Sequence, residues 1–283
     1  MASKKSLKLC LASSELTPLA KTGGLADVNT ALASYLYDKG HDVRVLIPFY
    51  SSMRRDGLKI RPVAKLQNLS IGVGPRDFQY SIDVTTVPAG ELPVYLLRCP
   101  ELYDRPGIYT EGDDEHLRFI VLSRVAIEMC QRMRFSPDIF HCHDWHTALI
   151  PLFLRTTYAW DKLFAHTRSV MTIHNIGYQG VFGADILGDL GIANSEYLLH
   201  QEDLSAGRIN FLKTGLLHAD QLTTVSPSYA EDPGPRIRLG IGRNPERSRR
   251  RSGWYSQRRR LRRMESEVGP ADSTELHKRG FRR

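Results

Sequence analysis

The sequence predicts an α/β fold built on a parallel sheet, and three observations carry that prediction. Apolar runs of strand length alternate with segments whose apolar residues recur at helical spacing. The first run is followed by a glycine turn, a helix-like segment and a second run, the order of a βαβ unit. Polar residues also cluster where two later runs stop, at "HCHD" (141–144) and "HN" (174–175). Open parallel sheets bind ligands at that carboxyl edge.

Taken in order, Leu7–Ala12 reads as a buried strand. After two glycines, Leu25, Val28, Leu32, Tyr35 and Leu36 recur at helical spacing, and Lys39-Gly40 suits the helix end. "HDVRVLIP" (41–48) is a second strand stopped by proline, which completes a right-handed βαβ unit. From 69 to 97, "FQYSIDVTTV" and "LPVYLL" are β-rich runs separated by Gly and Pro, predicting an antiparallel excursion. Then follow a helix at about 114–133, a strand at "DIFHCHD" and a helix at about 147–156. The series closes with a strand at "SVMTIHN" (169–175), a helix at about 207–217 and a strand at "LTTVS" (222–226). There is no internal repeat.

Composition narrows the class. The 283 residues are 41% hydrophobic and 25% charged, ordinary values for a soluble globular protein. No apolar stretch approaches the ~20 residues needed to cross a bilayer. The amino-terminal apolar run is interrupted by Lys8 and alternates like a strand, which argues against a signal peptide. Cys10, Cys99, Cys130 and Cys142 are scattered without paired spacing, so reduced thiols and a cytoplasmic location are expected.

The net charge of +8 suggests nucleic acid until its distribution is examined. Residues 231–283 hold 15 Arg and 1 Lys against 7 acidic side chains, leaving 23 basic and 24 acidic residues in the first 230. The basic character belongs to the tail. After Ala230 the apolar periodicity fails as well, and a disordered basic tail is expected there. A glucan- or nucleotide-binding module with a nucleic-acid-contacting tail is the competing reading. With only one Trp, one Tyr and one Phe in that tail to stack on bases, no nucleic-acid partner is expected.

The stretch "KTGGLADV" (21–28) carries the first chemistry. Amide groups at a helix start favour an anion, glycines allow close approach of the main chain, and Lys21 adds a mobile charge. The order is wrong for a Walker loop, and G-x-G-x-x-G is lacking. Spacing alone leaves a phosphate cradle and a plain turn equally open. "HCHDWH" (141–146) has metal-ligand residue types. On a strand, however, His141 and His143 point one way and Cys142 and Asp144 the other, so a metal site is not expected. In "TIHNIGYQG" (172–180), a neutral His174 could donate a hydrogen bond to a sugar hydroxyl or a carbonyl. "YDRPGIYTEGDDE" (103–115) by itself reads as a solvated loop.

Together, "ASSELTPLAKTGGLADV", "DRPGIY", "HCHDWHTAL", "TIHNIGYQG" and "KTGLLHADQLTTVSPSYA" resemble the bacterial glycogen synthase and plant starch synthase family, over about residues 6–232. The resemblance implies the GT-B fold, in which two Rossmann-like domains face a cleft. It also implies retaining transfer of glucose from ADP-glucose to the non-reducing end of an α-1,4-glucan, with no metal or other cofactor. Lys21 then matches the nucleotide-sugar lysine, with Gly23 and Gly24 lining the phosphate loop and Asp27 beside them. His174 and Asp144 match catalytic positions near the transferred glucose, and Tyr109 and Asn175 match polar residues of the cleft. A sucrose-linked glucosyltransferase of the same fold fits "KTGGLADV" less well.

On this resemblance residues 1–232 form the amino-terminal domain, and the carboxyl-terminal Rossmann-like domain is expected to be missing. Half a cleft cannot enclose the donor, so little or no transfer is expected from this chain alone. The tail is expected to be a frameshifted translation. Read one base later, Trp254-Tyr255 must give glycine and Met264-Glu265 must give tryptophan, ten positions apart. The resemblance implies a stretch like "GILNGVDYxVWNP" at this place, with the same Gly-to-Trp spacing, and the intervening codons are compatible with it.

Overall fold

The computed structural model describes residues 6–55, 59–87, 90–110 and 112–225, all within one compact unit. The expected boundary near 232, the tail and the reading-frame expectation lie outside the described residues.

The elements in chain order are β1 (Lys8–Ala12), α1 (Gly24–Asp38), β2 (Asp42–Pro48), β3 (Arg61–Pro62), β4 (Leu69–Val73), β5 (Arg76–Thr86) and β6 (Pro93–Arg98). After them come α2 (Pro100–Tyr103), α3 (Glu115–Arg132), β7 (Ile139–His143), α4 (Ile150–Phe153), β8 (Arg168–Ile173) and β9 (Val181–Gly183). The last are α5 (Gln201–Ser205), β10 (Arg208–Asn210), α6 (Phe211–His218) and β11 (Gln221–Thr224).

Nine strands form one sheet in the order β11-β8-β7-β1-β2-β6-β5-β3, with β4 paired to β5. From β11 to β6 every pairing is parallel, and β5 runs antiparallel to β6. The antiparallel excursion is therefore where the sequence puts it. The central strands β1, β2 and β6 are buried on both faces along most of their length, which is why their apolar residues run together. Leu11, Leu46, Ile47, Leu96 and Phe140 are all fully buried or nearly so. Each such side chain contributes ~1.5–3 kcal/mol by leaving water.

The chain moves from β1 to β2 on one side and later places β7 on the other side of β1. Strand order thus reverses between β1 and β7, and a crevice opens above their carboxyl ends. Three segments discussed above meet that edge: the loop after β1, the "HCHD" end of β7 and the "HN" turn after β8.

Three expectations are corrected. The predicted helix at 147–156 is a short 3₁₀ turn at Trp145–Thr147 followed by the single turn of α4. The predicted helix at 207–217 begins only at Phe211, because Arg208–Asn210 pair with Val181–Gly183 in a two-stranded sheet. The Asn210 side chain then caps α6 by accepting the Lys213 amide. On α1 the buried residues are Leu25, Ala26, Asn29 and Ala33, whereas Val28 and Tyr35 are exposed. Small side chains let this helix lie close to the sheet, so the larger apolar residues are turned outward.

Candidate functional site

The loop between β1 and α1 is organised by Glu15, which is 2% exposed. Its carboxylate accepts hydrogen bonds from the Thr22 amide at 2.6 Å, the Thr22 hydroxyl at 2.7 Å and the Gly23 amide at 3.3 Å. It also accepts the Tyr109 hydroxyl proton. The loop is pinned further by Asn29, whose amide donates to Ser13 Oγ and to the Glu15 carbonyl, and by the Tyr50 hydroxyl, which donates to the Ser14 carbonyl at 3.0 Å. The amides expected to be free for an anion are therefore partly committed: Thr22 and Gly23 already hold a carboxylate. Glu15 was not singled out from the sequence. The available signal was an acidic residue just past the end of the first apolar run, eight positions before the glycine pair.

Gly23 and Gly24 have open space where a Cβ would lie, and neither has the positive φ that demands glycine. The fold does not need glycine there. Gly23 caps α1 with no side chain of its own, and the positive end of the helix dipole is met by Asp27 in the first turn and by the Glu15 carboxylate on the Gly23 amide. Lys21 Nζ contacts both carboxylate oxygens of Asp27, at 2.8 and 2.7 Å, and Thr17 donates to the same carboxylate at 2.7 Å. The Lys21 hydrogen bond, then that of Thr17, holds the Asp27 carboxyl below its usual range. Both partners of this pair are about half exposed, so Lys21 reaches solvent at the crevice mouth.

At the end of β7, Asp144 adopts φ +52° and is 6% exposed. One of its carboxylate oxygens accepts the His174 amide at 2.7 Å and the Asn175 amide at 3.4 Å, tying the β7 end to the β8 end. Burial pushes the Asp144 carboxyl up to about 6 despite those two donors. Asn175 Oδ1 in turn accepts the Gly177 amide at 2.9 Å, which shapes the turn after β8. His174 is pushed down to about 4 by burial, against the opposing charge of Glu15.

His141 and His143 do share one face of β7, as the alternation predicts, and their rings stack with centroids 4.3 Å apart. His143 Nδ1 lies 3.0 Å from His174 Nε2. Among the described residues no group of three or more His, Cys, Asp or Glu side chains is placed to hold a metal ion. All four cysteines are buried and unpaired.

Tyr109 joins the two halves of the edge. Its ring stacks on His146 at 4.8 Å and 22°, while its hydroxyl donates to Glu15 and receives a hydrogen bond from Ser14. The loop that reads as a plain surface turn is therefore part of the site. Behind it, Arg118 is fully buried, pairs with Glu115 at 2.8 Å and donates to the Ile108 carbonyl at 2.9 Å. The carbonyl that Arg118 fixes immediately precedes Tyr109.

A parallel sheet whose switch point is lined by a glycine loop, an exposed lysine and two polar strand ends defines a Rossmann-like α/β domain of the ligand-binding kind. Comparison with known proteins makes this specific. The starch synthase catalytic domain family matches residues 8–233, and the chain belongs to that family. It is 42% identical to a glycogen synthase of Aeromonas salmonicida over 231 residues, covering 80% of this chain and 46% of that protein. Glycogen synthase 2 of Geobacter metallireducens is likewise 42% identical, over 230 residues and with the same coverage. Among solved structures, the catalytic domain of starch synthase IV from Arabidopsis thaliana, bound to ADP and acarbose, superposes with a TM-score of 0.72 at 32% identity. That match covers 81% of this chain and 46% of the plant chain, and it assigns the fold to the GT-B type. The chain spans about half the length of the curated relatives it matches.

Proposed function

We propose that this chain supplies the amino-terminal wall of a glycogen synthase, a glycosyltransferase that moves glucose from ADP-glucose to the non-reducing end of an α-1,4-glucan with retention of configuration. The observation that carries this reading is the meeting of the glycine loop, Tyr109, Asp144 and His174 at one switch point, in a chain 42% identical to glycogen synthases. The plant relative bound to ADP and acarbose supports a nucleotide and a glucan as the two substrates. The buried free thiols suit a cytoplasmic location.

The leaving group is a nucleoside diphosphate, so the chief requirement is to stabilise charge developing on phosphate oxygens. Lys21 and the start of α1 meet it. The phosphates come close to the main chain at Gly23 and Gly24, which explains two glycines that the fold itself does not require. Asp27 holds Lys21 in place until the diphosphate takes over part of its charge. Asp144 and His174 stand beside the transferred glucose, with Asn175 and Tyr109 lining the cleft. No cofactor enters this scheme.

Calorimetric titration of the protein with ADP-glucose tests the reading. Binding is expected, and Lys21→Ala is expected to weaken it tenfold or more, equivalent to about 1.4 kcal/mol. Absence of binding, or equal binding by the variant, would overturn it.

A further inference from the structure

A buried and a half-buried imidazole meet at the centre of the site. His143 is 0% exposed, and its Nδ1 faces His174 Nε2 at 3.0 Å. Its position is held on both sides. The His143 amide donates to Thr147 Oγ1 at 2.7 Å, and its ring stacks on His141 at an interplanar angle of 23°. The His141 ring is itself anchored, with Nε2 2.7 Å from Thr172 Oγ1, which lies 2.6 Å from Thr223 Oγ1. The His143 ring therefore has little freedom to turn away from His174.

The contact between the two rings needs exactly one hydrogen. Burial keeps both imidazoles neutral near pH 7, so each carries a single N–H. There are two ways to distribute them. If the shared hydrogen sits on His174 Nε2, the N–H of His143 must sit on its own Nε2. That atom is buried and has no hydrogen-bond partner among the described residues. A buried donor left without an acceptor is the rarer and costlier defect. If the shared hydrogen sits on His143 Nδ1, only a bare lone pair is left unpaired at Nε2. His174 then accepts at Nε2 and must carry its own hydrogen on Nδ1.

We propose that His143 is a positioning residue that fixes His174 as the Nδ1–H tautomer, so that His174 presents a donor, not a lone pair, to a ligand oxygen in the crevice. The chemistry this selects is a hydroxyl or ring oxygen that can accept a hydrogen bond. The inference deepens the reading of the cleft as a nucleotide-sugar site and rests on it for the identity of the ligand. The tautomer itself is independent of that reading.

The test is nitrogen-15 NMR of the full chain with labelled histidine, without ligand, near pH 7. The His174 signal is assigned as the one lost in His174→Gln. His174 is expected to show a protonated Nδ1 and a bare Nε2. Replacing His143 by leucine, which removes the donor, is expected to shift His174 toward a mixture in which Nε2–H gains population. A wild-type His174 protonated at Nε2 would overturn the proposal, and so would an unchanged tautomer in His143→Leu. Should the leucine variant fail to fold, the wild-type spectrum alone decides. Titration with ADP-glucose in the same sample reports separately on the proposed function: a protein with the expected tautomer and no response to ligand keeps this inference and rejects that one.

Discussion

The carboxylate of Glu15 accepts the backbone amide of Thr22 at 2.6 Å, which ties the end of β1 to the turn that opens α1. The same carboxylate accepts the hydroxyl of Tyr109, so one buried acid holds two walls of the crevice together. This acid gives the loop of Lys21, Gly23 and Gly24 its shape.

Glu15→Gln keeps the volume and one acceptor for the two amides, yet its NH₂ faces the Thr22 and Tyr109 hydroxyls, which must both give up donating to it. Such a mismatch in a buried site costs about 1–3 kcal/mol. Urea unfolding should show that loss, and an unchanged midpoint would remove Glu15 from its organising role.

Gly24→Ala should leave stability unchanged or raise it by up to ~1 kcal/mol, since a Cβ meets nothing there and alanine favours the helix. ADP-glucose binding by the same variant should fall. Gly180→Ala is the opposite case. A Cβ on Gly180 would lie 2.3 Å from the Trp145 ring, at φ +60°. It should cost about 2–4 kcal/mol and displace Trp145, read as altered tryptophan fluorescence. Equal behaviour of the two variants would refute the distinction.

Asp144 makes an unusual contribution to pH dependence. Its folded-state pKa of about 6 lies above the ordinary 3.8, so the native state binds the extra proton. Stability from this group falls as pH rises from about 4 to 6, by about 3 kcal/mol in all. Asp144→Asn should therefore be more stable than wild type at pH 7, with little difference at pH 4, as measured by chemical denaturation. Wild type equal to the variant across that range would sink the assignment.

The histidines of the site act in the other direction. His141 and His174 are held near 4 and His146 near 3, with burial the main cause in each. Their native forms resist a proton that the unfolded chain accepts at about 6.5. Stability is present above 6.5 and is lost as pH falls toward 4. Three such groups outweigh one Asp144, so wild type should weaken on acidification. Asp144→Asn, lacking the opposing contribution, should weaken more steeply.

The frame expectation has a direct check outside the protein. Sequencing the DNA that encodes residues 233–283 should reveal, one base later, an open frame with Gly and Trp codons ten positions apart. A stop codon interrupting that frame would end the idea.

What the sequence settled was whatever depends on short range and on periodicity. Buried strands such as Lys8–Ala12 and Asp42–Pro48 read as mainly apolar runs because most of their residues are covered on both faces. The polar pairs ending β7 and β8 pointed to the carboxyl edge of the sheet before any topology was known, and the five motifs pointed to the family. Tertiary structure decided the rest. Arg208–Asn210 became a strand because a partner 27 residues earlier, Val181–Gly183, offered open backbone groups, and local propensity carries no information about such a partner. The burial of Glu15, its grip on Tyr109 94 positions away and the facing nitrogens of His143 and His174 are likewise products of strand order. A buried acid and a shared imidazole hydrogen acquire their roles from the groups that surround them, and those groups are assembled only when the sheet closes at β1 and β7.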